Sequence, residues 1–205
     1  RVNSSGAEVT GYMDADNFKI NGAQGSDGQV LTSTGSGVAW EDAGGGAWSV
    51  KASGTFSGAS ELVVTGISKT TCIQIVLTDD NGSDVRMTVS TDNGSSFGSS
   101  GYKYANHFMR SNDPLLYSNS NSDSYVVLGG SGDSAGESFI YVYLPSPDES
   151  SMRHQWYYRN MFNRADDMYM NHGFGGYNTE QDIDAVKIYS DHTTFDGKYI
   201  VTELN

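Results

Sequence analysis

Apolar residues in this chain recur in short β-branched and aromatic runs. Nowhere do they follow the i, i+3, i+4, i+7 spacing of a long amphipathic helix. Thr71-Cys72-Ile73-Gln74-Ile75-Val76-Leu77 is one such run, and Val85-Arg86-Met87-Thr88-Val89-Ser90 alternates apolar with polar as a half-buried strand does. Glu61 to Thr65 ends at Gly66, Tyr125 to Leu128 ends at Gly129-Gly130, and Ser138 to Leu144 stops at Pro145. Ile183 to Tyr189 and Lys198 to Leu204 lie near the end. Turn residues separate the runs at the 8–12-residue rhythm of a sandwich. The expectation is an all-β fold, an antiparallel β-sandwich of jelly-roll-like type, with Cys72 as a small buried hydrophobe.

The same pattern divides the chain in two. Residues 1–46 are short of apolar groups and hold only small β-prone pieces: Phe18 to Ile20, Gln29 to Thr34 and Val38 to Glu41. Gly35-Ser36-Gly37 is a turn signal between the last two. A hairpin of this size is marginal alone. This segment is therefore expected to be a β-rich neck that finds its missing burial against other copies of the chain. Gly44-Gly45-Gly46 is a flexible joint, and residues 47–205 carry the sandwich head. The start at Arg1 rather than Met is expected of a fragment or processed product.

Composition removes several function classes. Lys plus Arg number 12 against 25 Asp plus Glu, a net charge of −13, which sets the chain against a phosphate backbone and hence against nucleic acid. One Cys forms neither an intrachain disulfide nor a Cys-based zinc cluster. No apolar run approaches the ~20 residues of a membrane span, so no membrane insertion is expected. Tyr numbers 13, among abundant Ser, Asn and Gly, which is the mixture of adaptable recognition surfaces.

Residues 149–177 concentrate that mixture. Trp156, Tyr157, Tyr158, Tyr169 and Tyr177 offer ring faces on which the CH faces of sugars stack, the alternative for each ring being a place in the sandwich core or in a seam between chains. Arg153, His154, Arg159, Asp166, Asp167 and His172 offer partners for hydroxyls. Because Asn, Asp and Gly interrupt the stretch so often, it is expected to lie largely in exposed loops at one end of a rigid sandwich, although Gln155 to Arg159 can also alternate across a sheet. The expected ligand is a glycan.

Catalytic and metal signals are weaker. There is no G-x-S-x-G elbow. Asp166, Asp167, Asp182 and Asp184 carry nothing that marks a glycosidase pair, and no enzymatic activity is expected. His107, His154, His172 and His192 lack H-E-x-x-H spacing, so neither metal nor cofactor is expected. The segment from Asp79 to Asp84 fails the EF-hand pattern, whose sixth and twelfth positions hold Asp84 and Ser90, and is expected to be a solvated hairpin turn. Ser90-Thr91-Asp92-Asn93-Gly94-Ser95-Ser96-Phe97 resembles the Asp-box of sialidases. In that family the box is structural and distant from the catalytic site, so here it marks a well-made turn.

One longer stretch carries a family resemblance. Asn21-Gly22-Ala23-Gln24-Gly25-Ser26-Asp27-Gly28-Gln29-Val30-Leu31-Thr32-Ser33-Thr34-Gly35-Ser36-Gly37-Val38-Ala39-Trp40 is similar to a segment common in phage tail fibres, where it lies in the shaft or neck before a C-terminal head. Ser53 to Ala59, Leu62 to Ile67, Val89 to Phe97, Ile183 to Tyr189 and Thr194 to Tyr199 also look like pieces of a phage tail head. The final strand departs from the family's frequent Tyr-Gly ending and has Val201-Thr202-Glu203-Leu204-Asn205 instead. The resemblance implies a homotrimer, and the neck's lack of a core of its own places Val30, Leu31, Val38 and Trp40 at the shared interface. It also implies a place on the virion tail beside other tail proteins and adsorption to a host surface, with no specific ligand; the aromatic stretch adds the expectation of a host surface glycan, with an outer-membrane receptor as the other partner class. The alternatives are a structural virion component, such as a decoration or connector protein, and a polysaccharide depolymerase. Some tail fibres hold an octahedral His site on the trimer axis through a closely spaced His pair; that pair is absent from this sequence.

Overall fold

The computed structural model describes residues 2–3, 6–7, 19–20, 22–42, 47–79, 84–111, 113–129, 137–151, 153–164, 167–190 and 194–205. These form strands and turns without helix, and the chain divides into Arg1–Gly46 and Ala47–Asn205.

In the first unit β1 (Val2–Asn3) pairs with β2 (Gly6–Ala7), β3 (Lys19–Ile20) with β4 (Ala23–Gln24), and β5 (Gln29–Ser33) with β6 (Val38–Asp42). The β5–β6 turn closes on a bond from Thr34 N–H to the Gly37 carbonyl, with Gly35 at positive φ. Leu31 faces Trp40 and Ser33 faces Val38, so Leu31, Val38 and Trp40 share one side of the hairpin and Val30 takes the other. Trp40 is half-buried over Gly25, where a Cβ would come within 2.7 Å of the indole. Val30, Leu31 and Val38 stay exposed.

The second unit is an antiparallel sandwich of unequal sheets. Its strands are β7 (Trp48–Ala59), β8 (Glu61–Thr65), β9 (Thr71–Asp79), β10 (Val85–Ser90), β11 (Tyr102–Arg110), β12 (Asp113–Asp123), β13 (Val126–Gly129), β14 (Ser138–Leu144), β15 (His154–Arg164), β16 (Asp167–Tyr177), β17 (Ala185–Ser190) and β18 (Phe195–Leu204). The large sheet runs β12-β11-β16-β15-β14-β9-β18-β7, and the small one β13-β10-β17-β8. Ile73, Ile75, Ile140, Val142, Trp156 and Tyr158 of the large sheet meet Met87, Val89, Val126, Leu128, Val186 and Ile188 of the small one.

Buried polar groups also join the layers. The Val89 N–H donates to the Tyr102 hydroxyl at 2.8 Å, and Asn171 Nδ2 donates to the Leu128 carbonyl at 3.0 Å. Gly173 and Gly175 of β16 leave room for Tyr158 and Trp156 of β15. A Cβ at 173 would collide with the Ala105 carbonyl and lie 2.8 Å from the Tyr158 hydroxyl. Gly173→Ala is expected to cost about 1–3 kcal/mol by overpacking, read as a lower midpoint in urea unfolding.

Two expectations are corrected here. Residues 149–177 are not mainly exposed loops. Most of them form β15 and β16, interior strands of the large sheet. Nor does the segment after Asp79 close a hairpin, because β9 and β10 belong to different sheets. Asp80, Asn81 and Ser83 lie outside the described residues. Cys72 is buried, in keeping with its expected role.

The stretch from Ser90 to Phe97 also passes between sheets, and it makes its own turn. Ser90 Oγ donates to Asp92 Oδ1 at 2.7 Å and accepts from the Asp92 and Gly94 N–H groups. Asp92 Oδ1 and Oδ2 accept from the Ser96 N–H and Oγ. These bonds, those from Ser96 first, lower the Asp92 pKa to about 2. The native state therefore holds this carboxylate ionised where the unfolded chain protonates it. Its stabilising effect is full above pH 3.8 and is lost as pH falls towards 2. Acid titration of Asp92→Asn is expected to show a shallower loss of stability over that window.

Candidate functional site

The sequence candidates gather on β15 and β16, and strand parity sorts them. The two strands pair along their length, from His154 opposite Tyr177 to Arg164 opposite Asp167. Alternate side chains point to opposite faces. His154, Trp156 and Tyr158 point inward from β15, and Tyr169 and Tyr177 from β16. Tyr157 and Arg159 point outward, with His172 opposite Arg159. Arg153 is exposed just before β15.

Trp156 and Tyr158 are 2% and 0% exposed, so they serve the core rather than a ligand. Trp156 packs against Tyr102 at 6.4 Å between centroids. Tyr169 is likewise buried, stacked 5.0 Å from Phe162 and close to Phe108. His154 is buried with Nε2 2.7 Å from the Gln181 carbonyl oxygen. Tyr177 stacks on Tyr102 at 4.7 Å. Asp166 lies outside the described residues, as does the side chain of Asp167. Asp167 opens β16 and Tyr177 closes it, so at about 3.4 Å per residue they stand roughly 30 Å apart and do not serve one site.

An open groove of about 780 Å³ crosses the outer face of the large sheet at the Tyr177 end. Ala105, Phe174, Tyr157 and Tyr143 lie side by side on adjacent strands β11, β16, β15 and β14. Phe174 is 66% exposed and Tyr157 39%. The aromatic row continues beyond the groove to Trp48, 6.3 Å from Tyr143. Lys103, Ser120, Arg153, Gln155 and Asn178 supply polar groups, and His154, Trp156 and Tyr177 border it. Of the sequence candidates, the groove thus brings Arg153 and Tyr157 together on its open side. Lys103, Tyr143, Gln155 and Phe174 were not singled out from sequence as ligand contacts. For Gln155 and Phe174 the signal that would have found them is the period of two, continued through 149–177; Lys103 and Tyr143 are brought there by cross-strand register.

The groove differs electrically from the chain that carries it. Among the described residues no Asp or Glu lines it. Outward positions along β11, β16, β15, β14 and β9 hold Lys103, Arg159, His107 and His172, and among the described residues no carboxylate. In a chain of net charge −13, the described outward residues of these five strands thus include cations not matched by acids. Tyr141 on the same face has its pKa raised to about 12, first by burial and then by its bond with Cys72.

Sheet register also makes a pair that sequence spacing hid. His107 lies opposite His172, with ring centroids 5.2 Å apart. Burial, then His107, then Arg159 lower the His172 pKa. The unfolded chain consequently binds more protons than the folded one below pH 6.5. This stability contribution is full above that pH and is lost as pH falls towards the depressed folded value. The melting temperature is expected to drop on acidification from neutral pH, and His172→Gln is expected to flatten part of that slope.

Comparison of the chain with protein-family models, curated proteins and solved structures finds no match.

Proposed function

We propose that this chain is the neck and receptor-binding head of a phage tail fibre. In this reading it is carried on the virion tail, binds a host-surface glycan and breaks no bond. The observation that carries the proposal is the groove: the exposed rings of Phe174 and Tyr157, with half-buried Tyr143 next in the row, beside Lys103, Arg153, Gln155 and Asn178 on a rigid sheet. Sugars stack their CH faces on such rings, and fixed amides and cations pair with their hydroxyls. In the neck, Leu31 and Val38 remain exposed on the side of half-buried Trp40 and Val30 is exposed on the other side, which supports association of copies through the hairpin. A homotrimer multiplies weak single-site binding through effective concentration.

The test is binding of the labelled chain to a panel of bacteria, with light scattering for its mass. Saturable binding by a species of three 22.1 kDa chains is expected. A monomer that binds no cell would overturn the reading. A second reading, a structural virion component, is favoured by Met161 and Met168, exposed on the same face away from the groove. It predicts binding to other tail proteins and none to cells.

A further inference from the structure

We propose that the groove selects an acidic saccharide, one that carries carboxylates at intervals along its chain; this rests on the glycan reading of the same groove. The observation is a slot in the register. Lys103 on β11 and Gln155 on β15 are both opposite Gly176 of β16. Gly176 projects no side chain between Lys103 and Gln155, a Cβ there would meet the His154 carbonyl oxygen at 2.8 Å, and strand spacing sets the backbones of 103 and 155 about 10 Å apart. Phe174 stands two residues along on the same face, with Tyr157 beside it. Arg153 is exposed at the same end of the groove.

Neither Lys103 nor Arg153 forms an ion pair or hydrogen bond with a described residue. Both side chains are exposed, and among the described residues no acid pairs with either. A guanidinium takes a carboxylate through two parallel N–H bonds, and Lys103 adds a point charge. The rings meanwhile hold the apolar face of the sugar that bears it.

Charge density narrows the class. The whole chain carries −13, and its field opposes any dense polyanion. A few cations in one groove do not offset a phosphate at every unit, as in nucleic acid or a phosphodiester polymer. They do match a polymer with one carboxylate every few sugars. Local chemistry thus answers the global repulsion directly, with no bridging divalent cation.

The experiment uses the full chain and polysaccharide extracted from a bacterium that it binds, before and after carbodiimide amidation of the carboxylates. Amidation is expected to weaken binding at least tenfold. Binding of the untreated polymer should fall with added NaCl and ignore chelator. The double variant Lys103→Gln, Arg153→Gln is expected to lose at least tenfold on the untreated polymer, with an unchanged melting temperature, and to match wild type on the amidated one. Equal binding before and after amidation would overturn the acidic-sugar inference. If Tyr157→Ala still abolished that equal binding, the glycan reading itself would stand. A chain that binds cells but not their polysaccharide would overturn both.

Discussion

Tyr157→Ala is expected to weaken binding to host cells tenfold or more while leaving the fold intact. The ring lies mid-row between Phe174 and Tyr143 and is 39% exposed, so part of it supports its neighbours and part is open to a ligand. Aromatic side chains at the centre of a recognition surface typically cost more than 1 kcal/mol on truncation, and about 1.4 kcal/mol is a factor of ten. Exposed positions outside the core change stability by only about 0.5 kcal/mol. The effect should be measured on single chains or dilute cells, because avidity masks the loss of one weak contact. Phe174→Ala is expected to act in the same way, being more exposed on the same rung. Wild-type cell binding by both variants would show that the ligand lies elsewhere.

The neighbouring position should behave in the opposite manner. Trp156→Ala is expected to cost about 3–5 kcal/mol, the usual range for deleting a large buried aromatic. Its indole fills the core beside Tyr102 and over Gly175, where a Cβ would approach Nε1 to 2.6 Å. At roughly 2–4 °C per kcal/mol for a chain of this size, the melting temperature should fall by about 10 °C. Loss of cell binding in this variant would reflect unfolding rather than a lost contact. A Trp156→Ala protein that melted like wild type would contradict the assignment of this ring to the core.

The contrast between two adjacent residues shows what could be read from sequence and why the rest was hidden. Val85–Ser90 and Ser138–Leu144 were legible because long β-branched or aromatic runs ended at clear breakers. Residues 149–177 were not, because their polar and glycine residues do core work. Asn171 is buried and donates across the sandwich to the Leu128 carbonyl, and Asn160 is buried where Gly129 leaves room. Gly173 and Gly175 are spaces for the rings of Tyr158 and Trp156. Composition marked those residues as loop, whereas tertiary contacts make them strand. The edge strand Asp113–Asp123 was missed for a related reason: its Ser and Asn run has weak β propensity, and pairing with β11 supplies the order. The region of the site was therefore legible, but not the face, since that depends on the parity of two strands.

Methyl NMR offers the most direct test of the groove as the ligand site, with Ala and Met labelled and host polysaccharide added. Ala105 lines the groove, while Met161 and Met168 sit elsewhere on the same sheet face. A saturable shift of the Ala105 methyl is expected, with the two methionine methyls unmoved. Movement of Met161 and Met168 with Ala105 silent would contradict it.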